Sequence, residues 1–129
     1  MTEIVSRSPI RVLLVDDHPV VRAGLNSMLR KQTGIKIIGS LHGGREALEF
    51  LANEPADVML LDLRMPNMDG IELLSSLKSN AALRSIPVIM VTTEGSQDRV
   101  LQALKLGAAG YVRKPFTAEQ IREKLVGIV

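Results

Sequence analysis

At 129 residues the chain is long enough to bury one hydrophobic core and short for two. Hydrophobic residues make up 46% of it, which excludes a disordered chain, while the longest apolar runs fall far short of the roughly 20 residues of a membrane helix. With 16 basic and 14 acidic residues, three aromatics and no cysteine, it has no basic arm or stacking platform for nucleic acid. Disulfides and thiolate metal sites are excluded too.

In chain order, Met1 to Pro9 is polar, lacks the apolar stretch of a signal peptide, and reads as a flexible arm ahead of a domain spanning 10–129. Ile10–Val15 is an apolar run of strand length, and 19–31 places Val21, Leu25, Met28 and Leu29 at helical spacing, with Pro19 tolerated in the first turn. A weaker strand follows at Ile35–Gly39, then a helix over 44–52 with Ala47, Leu48 and Leu51 on one face. Asp57–Asp62 is the most apolar strand, and a loop over Arg64–Gly70 leads to a helix marked by Ile71, Leu74 and Leu77. Val88–Val91 is the fourth strand, and 96–106 is a helix that Gly107 is placed to terminate. Ala109–Val112 is a short fifth strand. Thr117-Ala118-Glu119-Gln120 has the form of a capping box, which starts a last helix through Ile121 and Leu125.

Five strand–helix pairs with strands apolar on both faces predict an α/β fold: a doubly wound, five-stranded parallel sheet with helices on both sides. Nothing after the fifth helix has the pattern of a DNA-binding helix-turn-helix, so no direct contact with nucleic acid is expected, and no membrane association.

Ligand sites in such sheets form beyond the carboxyl ends of the strands. Asp16 and Asp17 leave the first strand there, Asp62 the third, Thr92 the fourth and Lys114 the fifth. Taken singly, the aspartates read as helix caps or turn residues, Thr92 as a strand-end hydroxyl and Lys114 as a solvated surface charge. Taken together, three neighbouring carboxylates repel one another unless a cation intervenes, and hard oxygen ligands favour Mg²⁺. A hydroxyl donor and an ammonium complete a pocket suited to a phosphoryl group.

These groups, in this order and spacing, resemble the receiver domain of two-component response regulators. The residues that carry the resemblance are Asp16-Asp17, Asp62 with Met65-Pro66-Asn67-Met68-Asp69-Gly70 after it, Thr92, Tyr111 and Lys114-Pro115-Phe116. They cover residues 10 to about 127. The resemblance implies a flavodoxin-like three-layer sandwich with strand order 2-1-3-4-5. It implies that Asp62 is the phosphoacceptor, with a sensor histidine kinase or phosphotransfer protein as donor. Asp16, Asp17, Asp62 and the backbone carbonyl of Arg64 are then the ligands of Mg²⁺, with Mn²⁺ as the alternative ion. Thr92 and Lys114 bind the phosphoryl oxygens, and Thr92 and Tyr111 form a switch pair. The change reaches an effector protein, or a second copy of the chain in a homodimer, through the face of the fourth helix, fifth strand and fifth helix. A cytoplasmic location follows from the same resemblance, as does the absence of any enzymatic activity beyond self-directed phosphotransfer and autodephosphorylation.

Arg64 and Glu94, each two residues beyond a site residue, are expected at the mouth of the pocket, where an ion pair between them tunes the lifetime of the phosphoryl group. His18, beside the acidic pair, is assigned to capping or packing and not to metal binding, and His42 to a loop. Two other readings compete. Asp17-His18-Pro19-Val20-Val21-Arg22-Ala23-Gly24 looks like the opening of receivers joined to a DNA-binding domain. A phosphatase of the haloacid dehalogenase type wants a second acid two residues after its nucleophile, where this chain has Arg64.

Overall fold

The structure is a computed structural model that describes residues 9–16, 18–32, 34–62, 70–92, 97–113 and 117–128. Strands and helices alternate: β1 (Ile10–Val15), α1 (Pro19–Arg30), β2 (Ile35–Leu41), α2 (Gly44–Leu51), β3 (Val58–Asp62), α3 (Gly70–Ser79), β4 (Val88–Thr92), α4 (Gln97–Leu106), β5 (Gly110–Arg113) and α5 (Ala118–Ile128). All pairings are parallel, and the sheet order is β2-β1-β3-β4-β5. The α/β doubly wound arrangement and the strand order are those expected from the sequence.

Alternation along the strands divides the core into two layers. Leu13 and Val15 of β1, with Met59 and Leu61 of β3, pack under α2, α3 and α4 through residues such as Leu51, Leu74 and Ala103. Val12, Leu14, Val58 and Leu60 face the other way, onto Leu25 and Leu29 of α1 and Ile121 and Leu125 of α5. Every side chain of β3 is buried. Each fully buried leucine, valine or methionine contributes about 1.5–3 kcal/mol of transfer free energy, so the central strand is the most firmly held element.

Strand β2 runs two residues further than its apolar run predicts, and a bulge is the reason. Val12 pairs with Ile37 but Leu13 pairs with Gly39, so Ile38 is the extra residue on the edge strand. A Cβ on Gly39 would lie 3.0 Å from both Leu13 Cδ1 and Phe50 Cζ, so glycine lets the Phe50 ring of α2 close over the strand. The pairing then reaches Leu41, whose carbonyl accepts the backbone N–H of Asp16 at 3.0 Å. At the opposite end of the sheet, the Arg11 guanidinium donates to the Pro55 carbonyl at 3.1 Å and its backbone N–H to Asp57 Oδ2 at 2.9 Å. Asp57 is thus a tie at the entry to β3 and not part of the strand.

Helix α4 ends in a Schellman motif. Gly107 takes φ +112°, its N–H donates to the Leu104 carbonyl at 3.1 Å, and that of Ala108 to the Ala103 carbonyl at 3.0 Å. The Lys78 stem from α3 crosses this glycine, and its ammonium donates to the Arg84 carbonyl at 3.0 Å. Burial holds that ammonium below its ordinary pKa of 10.5. The capping box of α5 is formed as expected. Thr117 N–H donates to Gln120 Oε1 at 2.8 Å and Gln120 N–H to Thr117 Oγ1 at 3.2 Å.

Candidate functional site at the carboxyl edge of the sheet

Register decides what meets at the strand ends. Val15 of β1 is level with Leu61 of β3, so the next residues, Asp16 and Asp62, leave adjacent strands side by side. Asp62 is level with Val91 of β4, and Thr92, one residue on, is level with Arg113 of β5. The crossover that puts β1 between β2 and β3 makes this the switch point of the sheet, where open α/β sheets bind their ligands.

Both carboxylates are buried, Asp16 at 2% exposure and Asp62 at 4%. Buried charges of like sign are unfavourable unless something of opposite sign joins them. Asp16 Oδ1 accepts the backbone N–H of His18 at 2.8 Å, and the Arg22 guanidinium of α1 donates to the Asp16 backbone carbonyl at 2.8 Å. Those two bonds tie the start of α1 to the end of β1.

His18 is where the site departs from the sequence reading. It is the N-cap residue of α1, with extended backbone (φ −91°, ψ 108°), and its side chain makes no capping bond. The imidazole turns toward the acids instead. Its Nδ1 lies 3.1 Å from Asp16 Oδ1 and 3.5 Å from Asp62 Oδ2, while 56% of the side chain faces solvent. Asp16, His18 and Asp62 each offer a ligand atom, all within 4.8 Å of one another. The signal for this was Pro19, which favours starting the helix at that residue and so leaves His18 at the sheet edge. His42, assigned to a loop, precedes α2 and lies 3.8 Å from Glu46 on the surface.

The remaining site residues divide by position. Thr92 closes β4 beside Arg113, as its place in the sequence requires. Tyr111 lies on β5 level with Met90, 37% exposed. Asp17, Arg64, Glu94 and Lys114 lie outside the described residues. The donor set that is described suits a hard divalent cation: two buried carboxylates at one strand edge. Mg²⁺ therefore fits the residues present.

Comparison with known proteins agrees with this geometry. A family model of the response regulator receiver domain matches residues 12–126. The chain is 35% identical over 116 residues to the chemotaxis protein CheY of Pseudomonas aeruginosa, which spans 90% of this chain and 93% of that one. It is 32% identical over 123 residues to the chemotaxis protein CheY-3 of Vibrio cholerae, 95% of this chain and 94% of the relative. Among solved structures, the signal receiver domain of NarL from Mycobacterium tuberculosis superposes with a TM-score of 0.85 at 32% identity, over 94% of this chain and 96% of that one. The chemotaxis response regulator CheY4 of Vibrio cholerae gives a TM-score of 0.83 at 29% identity, over 95% of this chain and 100% of that one. No helix among the described residues is long and apolar enough to cross a membrane. The chain belongs to the response regulator receiver domain family.

Proposed function

We propose that this response regulator receiver is a phosphorylation-activated switch, in which Asp62 accepts a phosphoryl group from a phosphohistidine on a sensor histidine kinase or phosphotransfer protein. The observation that carries the proposal is the position of Asp62: a buried carboxylate that ends the central strand, beside Asp16, at the switch point of the sheet. In the transfer, an Asp62 carboxylate oxygen attacks phosphorus, the phosphorus–nitrogen bond breaks, and the donor imidazole leaves with the electron pair. Asp16, Asp17, Asp62 and the Arg64 backbone carbonyl would hold Mg²⁺, or Mn²⁺ in its place, which would neutralise charge on the phosphoryl oxygens. Thr92 and Lys114 take those oxygens by hydrogen bond and ion pair.

The acyl phosphate then hydrolyses on the same domain, so the chemistry is self-directed and the chain has no separate substrate to turn over. Arg64 and Glu94 set how readily water reaches the phosphoryl group. Thr92 and Tyr111 carry the change outward. Tyr111 stands at the surface, and Leu101 (57% exposed) and Leu104 (38%) give neighbouring α4 an apolar outer side. That α4-β5-α5 face is the surface for an effector protein or for a second copy of the chain. The absence of cysteine suits the cytoplasm, where such kinases present their phosphohistidines.

Amide NMR spectra recorded with Mg²⁺ and beryllofluoride test this reading. Shifts that start around Asp62 and reach Tyr111 in the wild type, and vanish in Asp62→Asn, support it; an equal response from both proteins overturns it. A second reading, the receiver of a larger DNA-binding regulator, is favoured by the Asp17–Gly24 segment. The full reading frame of the gene separates the two.

A further inference from the structure

Helix α4 is fastened unevenly along its length. Its buried side chains among the described residues are Val100 and Ala103, while Gln97 and Asp98 at its first turn are exposed. At the β5 end the ties accumulate. Gly107 N–H donates to the Leu104 carbonyl, Ala108 N–H to that of Ala103, and Ala109 N–H to the Val88 carbonyl of β4 at 2.8 Å. Lys78 of α3 adds another. A Cβ on Gly107 would lie 3.2, 3.5 and 3.8 Å from its Cε, Cδ and Cγ, so the lysine stem runs along the glycine. Beyond the stem, the ammonium is fixed on the Arg84 carbonyl at 3.0 Å. Gly107 itself holds φ +112°, a conformation other residues adopt only under strain, and its missing Cβ is what lets the stem approach.

We propose that Lys78 is a positioning residue that makes Gly107 the pivot of α4, so that the switch moves the Gln97 end of the helix and leaves its β5 end in place. This rests on the reading of Thr92 as the residue that carries the change outward. The chain leaving Thr92 leads into the Gln97 end of α4, so a displacement there pushes the helix at the end with fewer ties. An element held at one terminus and pushed at the other turns about the held one, and the hinge falls on a few terminal residues. The consequence is a division of the apolar outer side of α4. At a rise of 1.5 Å per residue, Leu101 lies about 9 Å along the axis from Gly107 and Leu106 about 1.5 Å. Leu101 therefore changes place with the state of the switch, and Leu106 keeps its place. A partner tells the two states apart at Leu101.

The chain has no cysteine, so spin labels can be placed singly and their separations measured by pulsed electron resonance. Ser27→Cys on α1 is the reference, paired with Asp98→Cys or with Lys105→Cys; all three positions are exposed. Distances are recorded with Mg²⁺, without and with beryllofluoride, in the wild-type, Lys78→Ala and Lys78→Met backgrounds. Asp98 lies about 13.5 Å along the axis from Gly107 and Lys105 about 3 Å, so the Asp98 pair is expected to shift at least about threefold further than the Lys105 pair. In Lys78→Ala the Lys105 pair shifts as well, and the gradient flattens. Lys78→Met keeps carbons along Gly107 and retains the gradient. A loss of stability alone would leave the gradient unmoved. Equal shifts at both positions in the wild-type background, a steep gradient that survives in Lys78→Ala, or a Lys78→Met protein that behaves as Lys78→Ala overturns the inference while the switch reading stands. No beryllofluoride response in either pair in the wild-type background overturns the switch reading too.

Discussion

Replacing Asp62 with asparagine is expected to stabilise the metal-free protein. Asp16 and Asp62 are 2% and 4% exposed, with ligand oxygens within 4.8 Å, so their repulsion is neither diluted by solvent nor screened by salt as a surface pair's is. At an effective dielectric near 20, two unit charges 4.8 Å apart repel by roughly 3.5 kcal/mol, and closer charges repel by more. The His18 ring between them and the hydrogen bond Asp16 Oδ1 accepts reduce it, leaving about 1–2 kcal/mol. In a domain of this size that corresponds to a rise of roughly 3–8 °C in Tm. Thermal melts of wild type and Asp62→Asn, each in chelator and in millimolar Mg²⁺, read it directly. The variant melts higher in chelator, and Mg²⁺ raises the wild type while leaving the variant almost unmoved. A variant that melts at or below the wild type in chelator would falsify the claim that these carboxylates are held against their own repulsion.

Further substitutions probe the elements that position the site. Gly39→Val puts a branched side chain where Leu13 Cδ1 and Phe50 Cζ already stand 3.0 Å from a Cβ, and costs about 1–3 kcal/mol in urea denaturation; a neutral result means the bulge does not govern the packing of α2. Arg22→Met removes the donor to the Asp16 carbonyl and lowers stability by about 1 kcal/mol. It also weakens Mg²⁺ binding without altering far-UV circular dichroism, and unchanged Mg²⁺ affinity would show that α1 does not hold the strand end. Burial lowers the Lys78 pKa in the folded protein, so the unfolded chain binds more protons between that lowered value and 10.5, and stability rises with pH across that window. Relative to Lys78→Met, the wild type therefore gains stability from pH 8 to pH 10.5 in paired urea titrations; a constant difference contradicts the burial of the ammonium.

The fold was legible because its strongest signals are local and periodic. Five apolar runs separated by helical spacing leave few ways to pack, and the buried strands beneath two helix layers follow from them. The ends of elements were less legible. Bulging at Ile38 carried β2 on to Leu41, which no apolar pattern announces, and Asp57 turned out to serve Arg11 at the entry to β3. At the site, Asp16 and Asp62 could be placed together because each directly follows or ends a strand, and parallel register does the rest. Strand order was another matter: apolar periodicity does not say which strands are neighbours, and it came from the resemblance. His18 was passed over because single histidines near helix starts commonly cap. Its ring faces the carboxylates because its own N–H is bonded to Asp16 and Pro19 begins the helix, a backbone arrangement visible only in three dimensions. Arg22 was missed for a like reason, since one turn of α1 brings it back over the strand end.

The central claim is that Asp62 receives the phosphoryl group. Intact-mass spectrometry after incubation with Mg²⁺ and a small acyl phosphate addresses it most directly. One added phosphoryl group in the wild type, mapped to Asp62, not formed when chelator replaces Mg²⁺ in the incubation and absent from Asp62→Asn, is the predicted result. Phosphorylation that persists in Asp62→Asn at wild-type extent, or that maps to Asp16 or to a residue away from the carboxyl edge of the sheet, would contradict it.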